Sequence, residues 1–288
     1  SSQLFDFWLP GLAEMTIPQV FGDTKQNSLY YEYEADFGTI NLDEYYSMGR
    51  LFPLMASRSC YYNQCAFCDN AYNYNNMKCI SQTPEVVFQL MEQANEKYGV
   101  NRFCFIDDCL PDKFMIGLAE KVILKQAKFR WVANARFSKQ LTKENIVEKL
   151  AKGGCKELFL GMESFSQQEL DRMNKGIRTE WIKTIVKLLK KNKILVYISI
   201  MVGVPGQTDE DFLSTYNFLV ENEQYIDMVD INIFYRTPSF RGNDAELKFM
   251  SETEVNEREK RTEYYYNSLM RWVIDNKKTP TFFRRYAW

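Results

Sequence analysis

The chain contains no histidine. That single absence excludes a Ser-His-Asp triad, a His-ligated zinc site and a His-ligated haem. Acid–base work must then fall to carboxylates, Lys, Tyr or Cys. An excess of one charge is also missing. The 36 Lys and Arg against 38 Asp and Glu leave a formal net charge of -2, which gives no general pull toward nucleic acid or anionic lipid. No stretch approaches the roughly 18 apolar residues of a membrane span. Ser1-Ser2-Gln3-Leu4 lacks the charged and apolar regions of a signal peptide. Neither a nucleic-acid partner nor a membrane is expected. The seven Cys, three of them close together, read as metal binding in a reducing cytoplasm rather than as a disulfide framework.

What is present is a globular composition, 45% hydrophobic and 26% charged over 288 residues, enough for one large α/β domain. From about residue 53, β-like runs alternate with amphipathic ones. Val86, Val87, Leu90, Met91 and Ala94 keep helical spacing behind Thr83-Pro84, a cap followed by a first-turn proline. Strands are expected at Arg102–Asp107, Trp131–Arg136, Glu157–Met162, Leu195–Val202 and about Met228–Tyr235, with helices around Met115–Val122, Ile146–Leu150, Ile182–Leu189 and Phe212–Leu219. Six βα repeats predict a parallel sheet, either doubly wound or a partial (β/α)6 TIM barrel, with functional groups at the carboxyl ends of the strands. Asp107, Asp108, Arg136, Glu163 and Pro205-Gly206 all fall there. Residues 1–52 read as an irregular lead-in, 53–240 as the barrel and 241–288 as a helical extension packed on its outside. Lys187, Lys190, Lys191 and Lys193 read as a solvated helix end favoured by the dipole.

Cys60, Cys65 and Cys68 are the strongest chemical signal. Three arrangements compete for them. Structural zinc would recruit Cys79 or Cys104, and a two-iron ferredoxin-like site shares the four-then-two spacing. The third is a cubane iron–sulfur cluster with one iron left without a protein ligand. Zinc modules carry paired Cys on both sides, and no second pair exists here. Plant-type ferredoxins are compact and β-rich, unlike this βα series. The open-iron cluster fits the surroundings best. Electron-transfer clusters are normally held by four Cys, so an open iron implies one that binds and reacts.

The motif and its surroundings resemble the radical S-adenosylmethionine superfamily over roughly residues 45–240. Phe67 matches the aromatic residue before the third Cys. Four residues rather than three separate Cys60 from Cys65, a spacing found in a branch described as cobalamin-binding. Gly161-Met162-Glu163-Ser164, Leu170–Gly176 and Val202–Thr208 look like that branch in order and spacing. The resemblance implies a 4Fe-4S cluster on Cys60, Cys65 and Cys68, S-adenosylmethionine on its open iron, and a 5′-deoxyadenosyl radical made by one-electron cleavage. It assigns ligand contacts to Asp107 and Asp108 (ammonium), Arg136 (a carboxylate), Glu163 (ribose or amine), Lys175 (carboxylate), and Ser199 and Val204 (ribose and adenine). Against these stand a helix-capping Asp, structural ion pairs for Arg136 and Glu163, an exposed helix-start Lys175 and a core Val204. Cys109 would donate a hydrogen atom in an epimerase. The competing reading makes it a small buried filler.

The missing pieces narrow the family further. No Cys follows Cys155 and none precedes Cys60, which argues against relatives with auxiliary C-terminal or N-terminal clusters. Cobalamin is a candidate third cofactor, yet a base-off His signature cannot exist here. A cobalamin domain is therefore expected to lie outside this chain, or the protein works without cobalamin. The expected activity is modification of an unactivated carbon in a peptide or other natural product or small molecule, by methylation or related C–H chemistry. A flavodoxin- or ferredoxin-type reductant would serve it in the cytoplasm. The alternatives are an epimerase or rearrangement enzyme using S-adenosylmethionine alone and, from another class, an iron–sulfur electron carrier.

Overall fold

The computed structural model describes residues 51–68, 79–236 and 252–278. Its centre is a six-stranded, all-parallel sheet that stays open between its edge strands. The strands are β1 (Leu51–Leu54), β4 (Arg102–Phe105), β5 (Arg130–Ala135), β6 (Cys155–Glu163), β7 (Leu195–Val202) and β8 (Met228–Ile233), paired in that order. This is the partial barrel expected from the βα alternation. The lead-in predicted over residues 1–52 falls outside the described residues except for Leu51 and Phe52, which belong to β1. A short antiparallel pair, β2 (Ser57–Arg58) with β3 (Ile80–Ser81), flanks the Cys loop and had no period long enough to betray it in sequence.

Five helices cover the outer face of the sheet: α1 (Pro84–Tyr98), α2 (Asp112–Leu124), α3 (Glu144–Lys152), α5 (Thr179–Lys191) and α6 (Asp209–Glu221). Thr83 caps α1 as expected, its side chain accepting from Val86 N, and Gly99 ends the helix in the left-handed conformation. Pleat alternation decides which strand residues meet the helices. Leu158, Leu160 and Met162 of β6 and Val196, Ile198 and Ile200 of β7 are fully buried beneath them. The opposite face runs through Phe159, Gly161 and Glu163, then Tyr197 and Ser199. Across the ladder Gly161 sits beside Ser199 and Ser199 beside Asp230. That inner face carries the polar groups. The Lys run on and after α5 is solvated as expected, and Lys190 pairs with Asp227 at 2.5 Å.

The long helix α7 (Glu252–Asp275) packs outside β7 and β8, with Tyr265, Leu269, Trp272 and Val273 joining the common core. Tyr265 of its Tyr cluster stacks on Phe212 at 4.2 Å between ring centroids and donates to Asp209.

A short helix, α4 (Gln167–Arg172), buries Glu169 completely, and neither of its carboxylate oxygens has a well-formed hydrogen bond. Burial pushes this carboxyl up to about 7, with Asp211 adding to the rise and Ser164, Gln207 and Arg172 opposing it. The folded chain therefore holds the proton more tightly than the unfolded one. The associated stability is complete below the ordinary value of 4.5 and is lost as pH rises through about 7. Glu169→Gln should flatten the pH dependence of stability across this window and stabilise the chain above it, by at most on the order of 3 kcal/mol. Urea denaturation at a series of pH values reads this directly, and an unchanged slope would show that Glu169 titrates normally.

Candidate active site

Cys60, Cys65 and Cys68 lie on the loop that follows β2. Ser59 and Asn63 take positive φ angles of 64° and 48°, which folds the loop tightly. The loop rests on the turn after α4. Ala66 N donates to Met173 O at 2.8 Å, Asn174 Nδ2 to Gln64 O at 2.8 Å, and the Tyr62 hydroxyl to Asn174 O at 2.9 Å. Gly176, at φ 66°, completes that turn. A side chain there would collide with the Tyr62 ring and hydroxyl, so glycine is required for both conformation and clearance.

A buried polar chain runs inward from this contact. The Arg136 guanidinium stacks 3.7 Å from the centre of the Tyr62 ring, and NH1 lies 3.5 Å from Cys65 Sγ. Its NH2 donates to the Lys175 carbonyl. The bland reading of Arg136 as half of an ion pair is thus replaced by a stack, a sulfur and a carbonyl. Lys175 is not an exposed helix-start residue either. It is buried, 2.7 Å from Glu163 Oε1, and 5.3 Å from the centre of the half-buried Phe67 ring. Burial pulls its ammonium down, but Glu163 and Cys65 outweigh that and hold it above its ordinary value. Ser199 Oγ donates to Glu163 Oε2 at 3.2 Å.

The local backbone makes this arrangement possible. A register shift between Gly161 and Glu163 interrupts the β6–β7 ladder, and Glu163 sits at φ 65°. A Cβ on Gly161 would approach Lys175 Nζ to 2.7 Å and Glu163 Oε1 to 2.8 Å, so residue 161 must be small to leave room for the pair.

The two carboxylates after β4 divide their labour. Asp107 is buried and accepts from Ala56 N at 3.1 Å, from Ser57 N, and from Ser57 Oγ at 2.6 Å. It ties down the segment entering the Cys loop, which corrects the expectation that it points at a ligand. Asp108 is exposed. Neither caps α2, whose N-cap position is Pro111. Val204 is buried in the common core after β7. Cys109 is buried and its thiol donates weakly to Leu110 O at 3.9 Å, within electrostatic range of Cys60. The interaction with Cys109 is the leading cause that draws the Cys60 thiol down to about 5, and the same interaction with burial pushes Cys109 well above its ordinary value.

Sequence reasoning missed Tyr62, Asn174 and Gly161. The available signals were an aromatic residue inside the Cys motif and the Asn-Lys-Gly turn, whose Asn and Gly both take positive φ.

The donor chemistry suits an iron–sulfur cluster. Each Cys of a cluster binds a separate iron, so the sulfurs need not converge. Among the described residues no three Cys, Asp or Glu side chains gather closely enough for one metal ion, which weakens the zinc reading. Ser59 Oγ, next to Cys60, is buried without a hydrogen-bond partner and is free to donate toward a bound group.

The sequence profile of the radical S-adenosylmethionine superfamily matches residues 55–219, more than half of the chain. The chain belongs to this superfamily. Its members are enzymes that use a 4Fe-4S cluster and S-adenosylmethionine. An uncharacterised methyltransferase of Pyrococcus horikoshii is 26% identical over 185 residues, covering 63% of this chain and 39% of the relative. Bacteriochlorophyllide d C-12(1)-methyltransferase of Chlorobaculum tepidum is 28% identical over 178 residues, covering 60% and 38%. The chain thus spans about two fifths of the length of these curated relatives. Among solved structures, the methyltransferase TsrM of Kitasatospora setae superposes with a TM-score of 0.57 at 18% identity, over 66% of this chain and 37% of that one. Coproporphyrinogen III oxidase of Escherichia coli superposes at 0.54 and 13% identity, over 78% and 52%. These likenesses show the fold. No described helix is long and apolar enough to cross a membrane.

Proposed function

We propose that this radical S-adenosylmethionine enzyme modifies an unactivated carbon of a natural product or peptide, with methyl transfer as the favoured outcome. The observation that carries this reading is the seating of the Cys loop on the Met173–Gly176 turn, which brings Cys65, Arg136, Lys175, Glu163 and Ser199 into one buried array. The methyltransferase relatives favour methylation over the other outcomes.

Cys60, Cys65 and Cys68 would hold the cluster. When bound and reduced, it supplies the electron that cleaves S-adenosylmethionine to a 5′-deoxyadenosyl radical. Asp108 would meet the ligand's ammonium, and Asp107 acts only by positioning the loop. Arg136 is rigidified by the Tyr62 stack and presents a fixed fork to a carboxylate. Glu163, oriented by Lys175 and Ser199, would accept from the ribose. Phe67 and Val204 supply apolar walls for adenine. Cobalamin is part of the proposal because TsrM has been described with cobalamin bound. A chain without His could offer it no imidazole ligand, and no residue here is assigned to it. We take 53–240 as the catalytic barrel, 1–52 as its lead-in and 241–288 as an outer helical extension. A flavodoxin- or ferredoxin-type protein in the cytoplasm is the proposed reductant.

The test is anaerobic reconstitution with iron and sulfide, followed by dithionite and S-adenosylmethionine. Accumulation of 5′-deoxyadenosine is the expected result. A reduced cluster that gives none would return the chain to the class of electron carriers.

A further inference from the structure

The N-terminal half of α7 reaches the carboxyl end of β7, where Gly203 joins the strand to the turn that follows. Arg258 NH2 donates to Gly203 O at 2.6 Å, and Gly203 N donates to Gln207 Oε1 at 2.7 Å. Both polar groups of residue 203 are thus held by side chains, one of them 55 residues away in sequence. Gly203 takes a φ of 75°, and a Cβ there would lie 2.6 Å from Thr262 Cγ2. Helix α7 therefore rests directly on this joint, and a side chain at 203 would be strained and would displace it.

The joint matters for what it connects. Upstream, β7 carries Ser199, whose hydroxyl orients Glu163 in the buried array. Downstream lies Val204-Pro205-Gly206-Gln207, a turn closed by Gln207 N donating to Val204 O at 3.0 Å, with Gly206 at φ 76°. Packing alone does not hold the joint on its α7 side. A cavity of about 330 Å³ opens there, lined by Ile233, Phe234, Thr262 and Tyr266 as well as Gly203 and Arg258. Arg258 is also poorly placed to serve stability, because its Nε is buried without a hydrogen-bond partner. A cation drawn inward for one carbonyl bond loses hydration that the bond only partly replaces.

We propose that Arg258 is a positioning residue for S-adenosylmethionine, holding the Gly203 peptide so that Val204 presents its apolar wall to the adenine. The inference rests on the adenine role proposed above for Val204. Arg258 acts through one carbonyl and does not itself meet the ligand. With the carbonyl pinned from α7 and the N–H pinned by Gln207, the turn keeps one orientation relative to Ser199. Helix α7 is a firm backing, since Tyr265 stacks on Phe212 and donates to Asp209 of α6. Without the guanidinium the left-handed joint is free to swing, and the nucleoside end of the ligand loses its wall. The amino acid end, proposed to meet Asp108 and Arg136, keeps its partners.

The experiment uses the reconstituted protein, wild type against Arg258→Met, Arg258→Lys, Gln207→Leu and Tyr265→Phe. Calorimetric titration of the oxidised protein gives the affinity for S-adenosylmethionine without cleavage. Methionine, which lacks the nucleoside, is titrated against the electron paramagnetic resonance signal of the reduced cluster. Arg258→Met should bind S-adenosylmethionine about tenfold more weakly, as for the loss of one charged hydrogen bond, and bind methionine unchanged. Gln207→Leu should show the same selective loss, and Arg258→Lys should recover most of the affinity. Tyr265→Phe releases α7 from Asp209 instead and should leave both affinities unchanged. Wild-type affinity for S-adenosylmethionine in a folded Arg258→Met protein overturns the proposal, as does an equal loss for both ligands. An equal loss in Tyr265→Phe overturns it too, because any loosening of the helix would then suffice. Gln207→Leu carries the same decision should Arg258→Met fail to fold. Each of these results leaves the enzyme assignment standing, whereas a wild type that binds no S-adenosylmethionine overturns both.

Discussion

Replacing Cys65 with Ala should remove the iron–sulfur cluster and every trace of 5′-deoxyadenosine formation together. Cys65 is the buried member of the motif trio, and its sulfur is the one that faces Arg136. With only Cys60 and Cys68 left from the motif, a cubane would expose a second iron beside the Arg136 guanidinium. Iron and sulfide analysis after reconstitution, with chromatography of the S-adenosylmethionine products, reads both losses. The chain itself should still fold, because Ala66 N and Asn174 Nδ2 anchor the loop without using the sulfur. Circular dichroism of the variant checks that point. Retained cleavage in a folded Cys65→Ala protein would defeat the assignment of the motif.

The second large effect is on stability. Lys175→Met should lower it by about 3–5 kcal/mol, because the Glu163 carboxylate is left buried without its cation. For a chain of this size the melting temperature would fall by roughly 10 °C. Removing both partners, as in Lys175→Met with Glu163→Leu, should cost less than the single change, since no lone charge then remains in the interior. Scanning calorimetry of the two variants gives the comparison. A Lys175→Met protein as stable as wild type would mean that the pair is open to water. Neither partner is required by the hydrophobic core. A buried ion pair is weak evidence for stability in itself, which is why the double variant is the informative comparison.

The outer face of the sheet was legible because burial beneath helices imposes a period. Ile182, Ile185, Val186 and Leu189 announced α5, and the strand expected at Leu195–Val202 is β7 to the residue. The strand-end rule likewise located Arg136 and Glu163. Other features were illegible because they depend on contacts distant in sequence. Lys175 looks like a helix-start lysine until the strand bulge at Gly161 shows where its ammonium goes. Asp107 and Asp108 are equivalent in sequence, and only the backbone amides of Ala56 and Ser57 separate the anchored one from the exposed one. Tyr62 gained its meaning from Asn174 and Gly176. Helix α4 is too short to show a period, and Glu169 inside it reads as an ordinary solvated glutamate.

Tyr62 reaches its backbone acceptor across 112 residues. A contact that remote is costly to close in an extended chain and becomes favourable only once β4, β5 and β6 have aligned. The Cys loop therefore has no surface to lie on until most of the sheet has assembled. A cluster held by Cys60, Cys65 and Cys68, as proposed, would then be loaded into a nearly finished scaffold and would not direct its assembly.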